Sequence, residues 1–144
     1  MLTPVSVVRA AERLDGRVRK TPVVTSAWLS AVTGADVLLK LENHQIEGSF
    51  KTRGAFHALQ QAGVTRAVTA SAGNHGRSLA FAARTLDVAL TVFAPRTAPR
   101  AKLDYIKKHG ATLELCDSYD DAEQKALDHA RRLVVPYISP YNHH

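Results

Sequence analysis

The sequence predicts an α/β fold: a three-layer open parallel sheet with helices on both faces. Two observations carry that expectation. From residue 67 onward, short apolar runs over 67–70, 89–93, 112–116 and 134–138 alternate with helical patterns over 74–86, 99–109 and 119–133. Strand, helix, strand at that pace calls for right-handed crossovers, which build a parallel sheet buried under helices. The helical stretches also carry one-sided apolar stripes. Leu103 and Ile106 with flanking alanines form one, and Ala122, Ala126, Ala130 and Leu133 form the next.

The residues before that rhythm read as follows. Thr3-Pro4 opens a first helix with a cap and then proline at the first helical position, and Gly16 closes it. Thr25 or Ser26 starts a short helix that Gly34 ends. A strand follows over 37–41, then a loop over 43–48. Ser49 is placed to cap a further helix, with Phe50 and Lys51 in its first turn and Gly63 as its stop. No repeat and no low-complexity tract underlies the pattern.

Composition narrows the function. Hydrophobic residues make up 45% and charged residues 22% of the 144, which fits a globular chain with a real core. No apolar run approaches a bilayer-spanning length, and Arg9 and Arg13 break the opening segment, which lacks the layout of a signal peptide. A cytoplasmic protein without a membrane partner is expected. Cys116 is the only cysteine, so neither an internal disulfide nor a cysteine-based metal cluster can form. Its apolar setting suits a packed, inert thiol. The net charge of +6 would suit nucleic acid, but the cations are scattered and no aromatic residues are interleaved with them. A small phosphate or carboxylate ligand accounts for part of the excess equally well. No nucleic-acid partner is expected.

Two segments concentrate chemistry. Lys51 falls just inside a helix start, where the helix dipole disfavours a cation and favours an uncharged, nucleophilic amine. Taken alone, the position also fits a solvated surface lysine, the commoner kind. An open parallel sheet binds ligands at the carboxyl ends of its strands, here 71–76, 95–99, 117–119 and 139–142. Of these, Ser71-Ala72-Gly73-Asn74-His75-Gly76 is richest in polar groups. Its small residues let the backbone approach a ligand, and unpaired amides at a helix start attract an anion such as a carboxylate. It matches neither a Walker loop nor G-x-G-x-x-G. An ordinary strand-to-helix turn capped by Asn74 is the plainer reading of the same residues.

Together these segments resemble a known family. The run from Glu42 through Gly48-Ser49-Phe50-Lys51-Thr52-Arg53-Gly54 to Ala55, followed by Ser71–Gly76, resembles the fold-type II pyridoxal-phosphate enzymes. The threonine/serine dehydratases, with their serine racemase relatives, are the branch it is most similar to. Ala94–Lys102 resembles the family's P-x-x-A-P-x-x-K stretch, Ser139-Pro140-Tyr141-Asn142 its h-P-F-D corner, and Thr21-Pro22 its usual Thr-Pro pair. The resemblance implies that Lys51 carries the covalent link to pyridoxal 5'-phosphate and removes the substrate's α-proton. Phe50 would pack beside the cofactor ring and Asn74 would bond the ring hydroxyl oxygen. Ser71, Ala72, Gly73, Asn74 and His75 would surround the substrate carboxylate. The implied reaction is β-elimination from L-threonine or L-serine to a 2-oxo acid and ammonia.

Branch features separate the alternatives. The Asn-Pro and Gly-Ser-x-Lys-Asp-Arg pattern of cysteine synthases is absent. Racemases need a second acid/base where this chain has Ala72, and alanine cannot transfer a proton. Elimination is therefore favoured over racemase-type or β-replacement chemistry. Family members run to roughly twice this length. The resemblance thus implies an amino-terminal half: residues 1–63 as part of the large domain and 64–144 as the small domain. The phosphate-holding glycine-rich loop, the residue facing the pyridine nitrogen and the metal-bearing region would lie in a missing carboxy-terminal half. This chain alone should release no ammonia from L-threonine, and bare surface meant for that half should make it a homo-oligomer. A non-catalytic α/β module that binds a small acid or another subunit is the competing account.

Other residues take plainer readings. Asp117, Asp120 and Asp121 suit the start of a helix better than a metal cluster. His143-His144 earn no metal assignment. Trp28 and the remaining aromatics are expected in the core, and His44 and Gln45 lie near the Lys51 loop without an assigned role.

Overall fold

The computed structural model describes residues 3–141. Asn142, His143 and His144, named above, lie outside the described residues. Helix α1 (Pro4–Leu14) starts at Thr3. The Thr3 hydroxyl accepts from Ser6 N–H while the Ser6 hydroxyl accepts from Thr3 N–H, a reciprocal cap. Strand β1 (Val23–Thr25), helix α2 (Ala27–Thr33) and strand β2 (Leu38–Lys40) follow, with Ser26 capping α2 and Gly34 ending it at φ 70°. A 3-10 turn (Glu42–His44) leads to α3 (Lys51–Ala62), closed by Gly63 at φ 60°. The regular part is β3 (Arg66–Ala70), α4 (Asn74–Thr85), β4 (Ala89–Pro95), α5 (Arg100–Lys108), β5 (Thr112–Cys116) and α6 (Tyr119–Leu133).

Strands β3, β4 and β5 form a parallel sheet in that order. Its alternating side chains feed two apolar layers. Ala67, Leu90 and Val92 pack with Phe56, Leu79 and Ile106 of α3, α4 and α5. Val68, Ala70 and Phe93 pack with Ala122, Ala126 and Ala130 of α6. Helices thus cover both faces, as expected, and the Phe56 and Phe81 rings meet edge to face at 5.8 Å in the first layer. None of the described helices is long and apolar enough to cross a membrane.

Four expectations need correction. Strand β1 was not expected. It pairs antiparallel with β2 in a separate two-stranded sheet, so not every strand is parallel. Three residues are too few to carry a periodic signal, and only the partner strand defines them. The run over 134–138 is not a strand but a single parallel bridge, Val68 to Tyr137. Val134 takes φ 54° to end α6, and Pro136 has no N–H to donate, so the ladder stops at Val68 N–H to Pro136 O and Ile138 N–H to Val68 O. Asn74 does not cap α4; Gly73 holds that position. Trp28 is 73% exposed, with Tyr119 and Tyr141 also on the surface, so these aromatics are not core.

Val68 faces β4 on one side and the 136–138 segment on the other. The sheet therefore grows outward from β3 to β5, and α6 then returns the chain to the free edge of β3. The order reverses between β3 and residue 137. An open α/β sheet leaves a crevice at such a point, beyond the carboxyl ends of its strands.

Candidate active site

That crevice is where the candidate residues meet. The β3–α4 turn supplies one wall and residues 139–141 the other. Lys51, at the start of α3, reaches between them, and its Nζ donates to Pro140 O at 2.7 Å. Lys51, Ser71, Gly73, Asn74 and His75 line one cleft of about 350 Å³. On its other side Lys51 borders a wider hollow of about 780 Å³, reached by Arg9 and Arg13 of α1 and by His57. The Phe50 ring is 62% exposed, and Lys51 Nζ lies 5.4 Å from its centre.

Local structure explains the placement. The Ser49 hydroxyl accepts from Lys51 N–H at 3.2 Å, so Ser49 acts as the expected cap although Phe50 already has helical dihedrals. The Thr52 hydroxyl bonds Ser49 O and lies 3.4 Å from the Ser78 hydroxyl of α4, tying the two helices side by side. In the turn, the Ser71 hydroxyl accepts from both Gly73 and Gly76 N–H. A Cβ at Gly76 would fall 2.1 Å from Ser71 O, so only glycine lets α4 sit this close to the end of β3. The Asn74 side chain is exposed and takes no hydrogen bond from the other described residues, which leaves it available to a ligand. His75 is buried, and its Nε2 lies 3.2 Å from Ile138 O, fixing the far wall.

Not every expected residue reaches the cleft. Ala72 is buried in a small cluster with Ala94 and Leu103, away from the lining. Tyr119, Asp120, Glu123 and Tyr141 do line it, and sequence reasoning assigned them no part there. Tyr119 and Tyr141 belong to strand-end segments already marked as candidates, and Asp120 had been read only as a helix-start acid; Glu123 had no signal beyond polarity. Asp120 and Asp121 occupy the first turn of α6. Asp121 accepts from Asp117 N–H and pairs with Lys125, so its charge serves the helix.

Behind the cleft a polar frame holds the loop that leads to Lys51. Arg53 Nε and Nη2 grip the two oxygens of Glu42 at 3.0 and 2.7 Å, and the Thr21 hydroxyl donates to Glu42 at 2.6 Å. The Arg53 hydrogen bond holds the Glu42 carboxyl down at about 2. The Gln45 side chain accepts from Arg19 N–H and donates to Arg19 O. Burial, reinforced by Glu123, pushes the Tyr137 phenol up to about 12. Cys116 is buried and its thiol is raised by desolvation, in keeping with the inert packing role.

Comparison with known proteins places this geometry. A family model described as pyridoxal-phosphate dependent enzyme matches residues 14–144. The L-threo-3-hydroxyaspartate ammonia-lyase of Pseudomonas sp is 43% identical over 145 residues, spanning 95% of this chain and 44% of that protein. The biosynthetic L-threonine dehydratase of Mycobacterium leprae is 40% identical over 153 residues, spanning 96% of this chain and 35% of that one. The crystal structure of serine racemase from Dictyostelium discoideum superposes with a TM-score of 0.87 at 31% identity, over 99% of this chain and 48% of that one. The chain spans less than half the length of each of these proteins.

Proposed function

The chain belongs to the pyridoxal-phosphate dependent enzyme family, and from that premise we propose that it is the lysine-bearing part of an ammonia-lyase acting on L-threonine or L-serine. The observation that carries this reading is one cleft holding both Lys51 and Asn74, at the point where the sheet order reverses. Residues 1–63 are taken as the amino-terminal part of a larger domain and 64–144 as the small domain. The remaining half that the longer relatives carry would complete the site.

The residues present fit the cofactor. Lys51 offers a primary amine within the cleft, Phe50 an exposed apolar ring beside it, and Asn74 an amide with no partner among the described residues. When bound, pyridoxal phosphate supplies an aldehyde for covalent attachment and a ring that stabilises negative charge at the substrate α-carbon. The first amides of α4, with Ser71 holding the turn, receive the substrate carboxylate. Lys51 Nζ would take the α-proton and hand it to the β-hydroxyl, which would then depart as water. Hydrolysis of the remainder gives a 2-oxo acid and ammonia. Ala72 presents only a buried methyl group, which supports elimination over racemisation. A cytoplasmic setting suits the free, buried Cys116 thiol.

The test is chemical trapping. The 144-residue chain is mixed with pyridoxal phosphate, reduced with borohydride, and digested for peptide mass spectrometry. The label should concentrate on Lys51 and vanish from that peptide in Lys51→Ala. Even labelling across the surface lysines would overturn the reading.

A further inference from the structure

One buried charge in the structure has no part in the chemistry above. The Glu47 side chain is only 3% exposed. It receives the Tyr105 hydroxyl at 2.7 Å, and Arg77 Nη2 stands 3.8 Å away, beyond hydrogen-bond length. The Arg77 guanidinium stacks 4.3 Å over the Tyr105 ring. Glu47 Oε2 and Arg77 Nε are both buried without a hydrogen-bond partner among the described residues. The neighbouring His109 ring packs on Tyr105 at 4.7 Å, and burial pushes its pKa down, so the counter-charge to Glu47 is Arg77.

A carboxylate buried this deeply and partnered this incompletely is a poor device for stability. Desolvating such a group is costly, and a long ion pair with one good hydrogen bond recovers only part of that cost. Its position in the chain suggests what it does instead. Glu47 lies four residues before Lys51, in the tight turn where Gly48 N–H bonds Gln45 O and Gly48 takes φ 65°. Arg77 lies three residues after Asn74, in the first turn of α4. One buried contact thus joins the strand of chain that delivers the lysine to the helix that delivers the anion-binding turn, and Tyr105 fixes both to α5.

We propose that Glu47 is a positioning residue that, through Arg77 and Tyr105, sets the placement of Lys51 relative to the Asn74 turn. This rests on the reading that those two segments form the site. Glu47→Gln keeps the shape and the acceptor for Tyr105 but removes the charge that holds Arg77. In a chain that stays folded by circular dichroism, trapping of pyridoxal phosphate on Lys51, relative to surface lysines, should fall about tenfold. Unchanged trapping would overturn the proposal.

Hydrogen exchange provides a readout that needs no cofactor. In Glu47→Gln, segments 48–51 and 73–76 should both exchange faster while the β3–β5 amides stay as protected as in the parent. Acceleration of neither segment, of one alone, or of the whole chain would equally overturn it. Should Glu47→Gln fail to fold, Tyr105→Phe, which keeps the ring on Arg77 and removes only the hydroxyl, should show the same paired acceleration. Failure to trap cofactor on Lys51 in the parent chain would instead sink the site reading, and the exchange data would still decide the role of Glu47.

Discussion

Lys51 Nζ donates a 2.7 Å hydrogen bond to the carbonyl oxygen of Pro140, a residue 89 positions further along the chain. The contact closes the crevice between the end of β3 and the returning segment after α6. Removing it should loosen the far wall first. Lys51→Met, which keeps the stem and deletes the donor, should cost about 1 kcal/mol, as for other intramolecular hydrogen bonds. Urea titration measures the loss, and faster amide exchange at 138–141 would locate it.

The Glu42–Arg53 pair predicts an acid-dependent stability. The Glu42 carboxyl is held at about 2, below its ordinary value of 4.5, chiefly by the Arg53 hydrogen bond. A depressed acid stabilises the fold above its unfolded value and stops doing so as pH falls through its folded one. Stability should therefore decline between pH 4.5 and 2. Glu42→Gln should flatten that part of the profile while costing about 1–2 kcal/mol at pH 7, the carboxylate being mostly but not wholly buried. Chemical denaturation across this pH range in both chains is the measurement.

Cys116 should be silent to a thiol reagent in the native protein. It is buried and its pKa is raised by desolvation. Modification at pH 8 should run at least ~10²-fold faster in urea than in buffer, since access requires unfolding. Equal rates would show that the α6 face of the sheet opens readily.

Phe56 is fully buried between α3 and α4 and meets Phe81 edge to face. Phe56→Ala should cost about 3–5 kcal/mol, enough to unfold a marginal chain. A thermal melt retaining the parent midpoint would contradict the packing described.

Apolar side chains are exposed on α1 (Val5, Val8), on α2 (Trp28, Val32) and on the β1–β2 sheet (Val24), more apolar surface than a chain of this size usually leaves bare. The isolated chain should therefore self-associate as concentration rises, with the Trp28 emission shifting to the blue. Trp28→Lys should weaken that association. A monomer at all concentrations by light scattering would count against a covered face.

Much of this molecule could be read before its coordinates. The bounds of β5 and α6 were legible to the residue, because a short apolar run marked the strand and a one-sided alanine stripe behind helix-start acids marked the helix. Lys51 and the Ser71–Gly76 turn were marked by their local chemistry, but each also fitted a plainer reading, and it was the resemblance to a known family that singled them out. Strand β1 was not, since three residues define a strand only through the partner they meet. Nor was the exposure of Trp28, because hydrophobicity ranks a side chain without saying which surfaces remain uncovered.

The division follows the range of the forces. Periodicity, caps and turn glycines act within a few residues, so the amino-acid order alone determined the alternation of strand and helix and put Lys51 at a helix start. Which loops would face one another was decided only when the chain closed on itself. The meeting of Lys51 with Pro140, the burial of Glu47 between Arg77 and Tyr105, and the withdrawal of Ala72 from the cleft all join residues far apart in sequence. Such contacts form through packing of whole layers, a cooperative property that no local window contains.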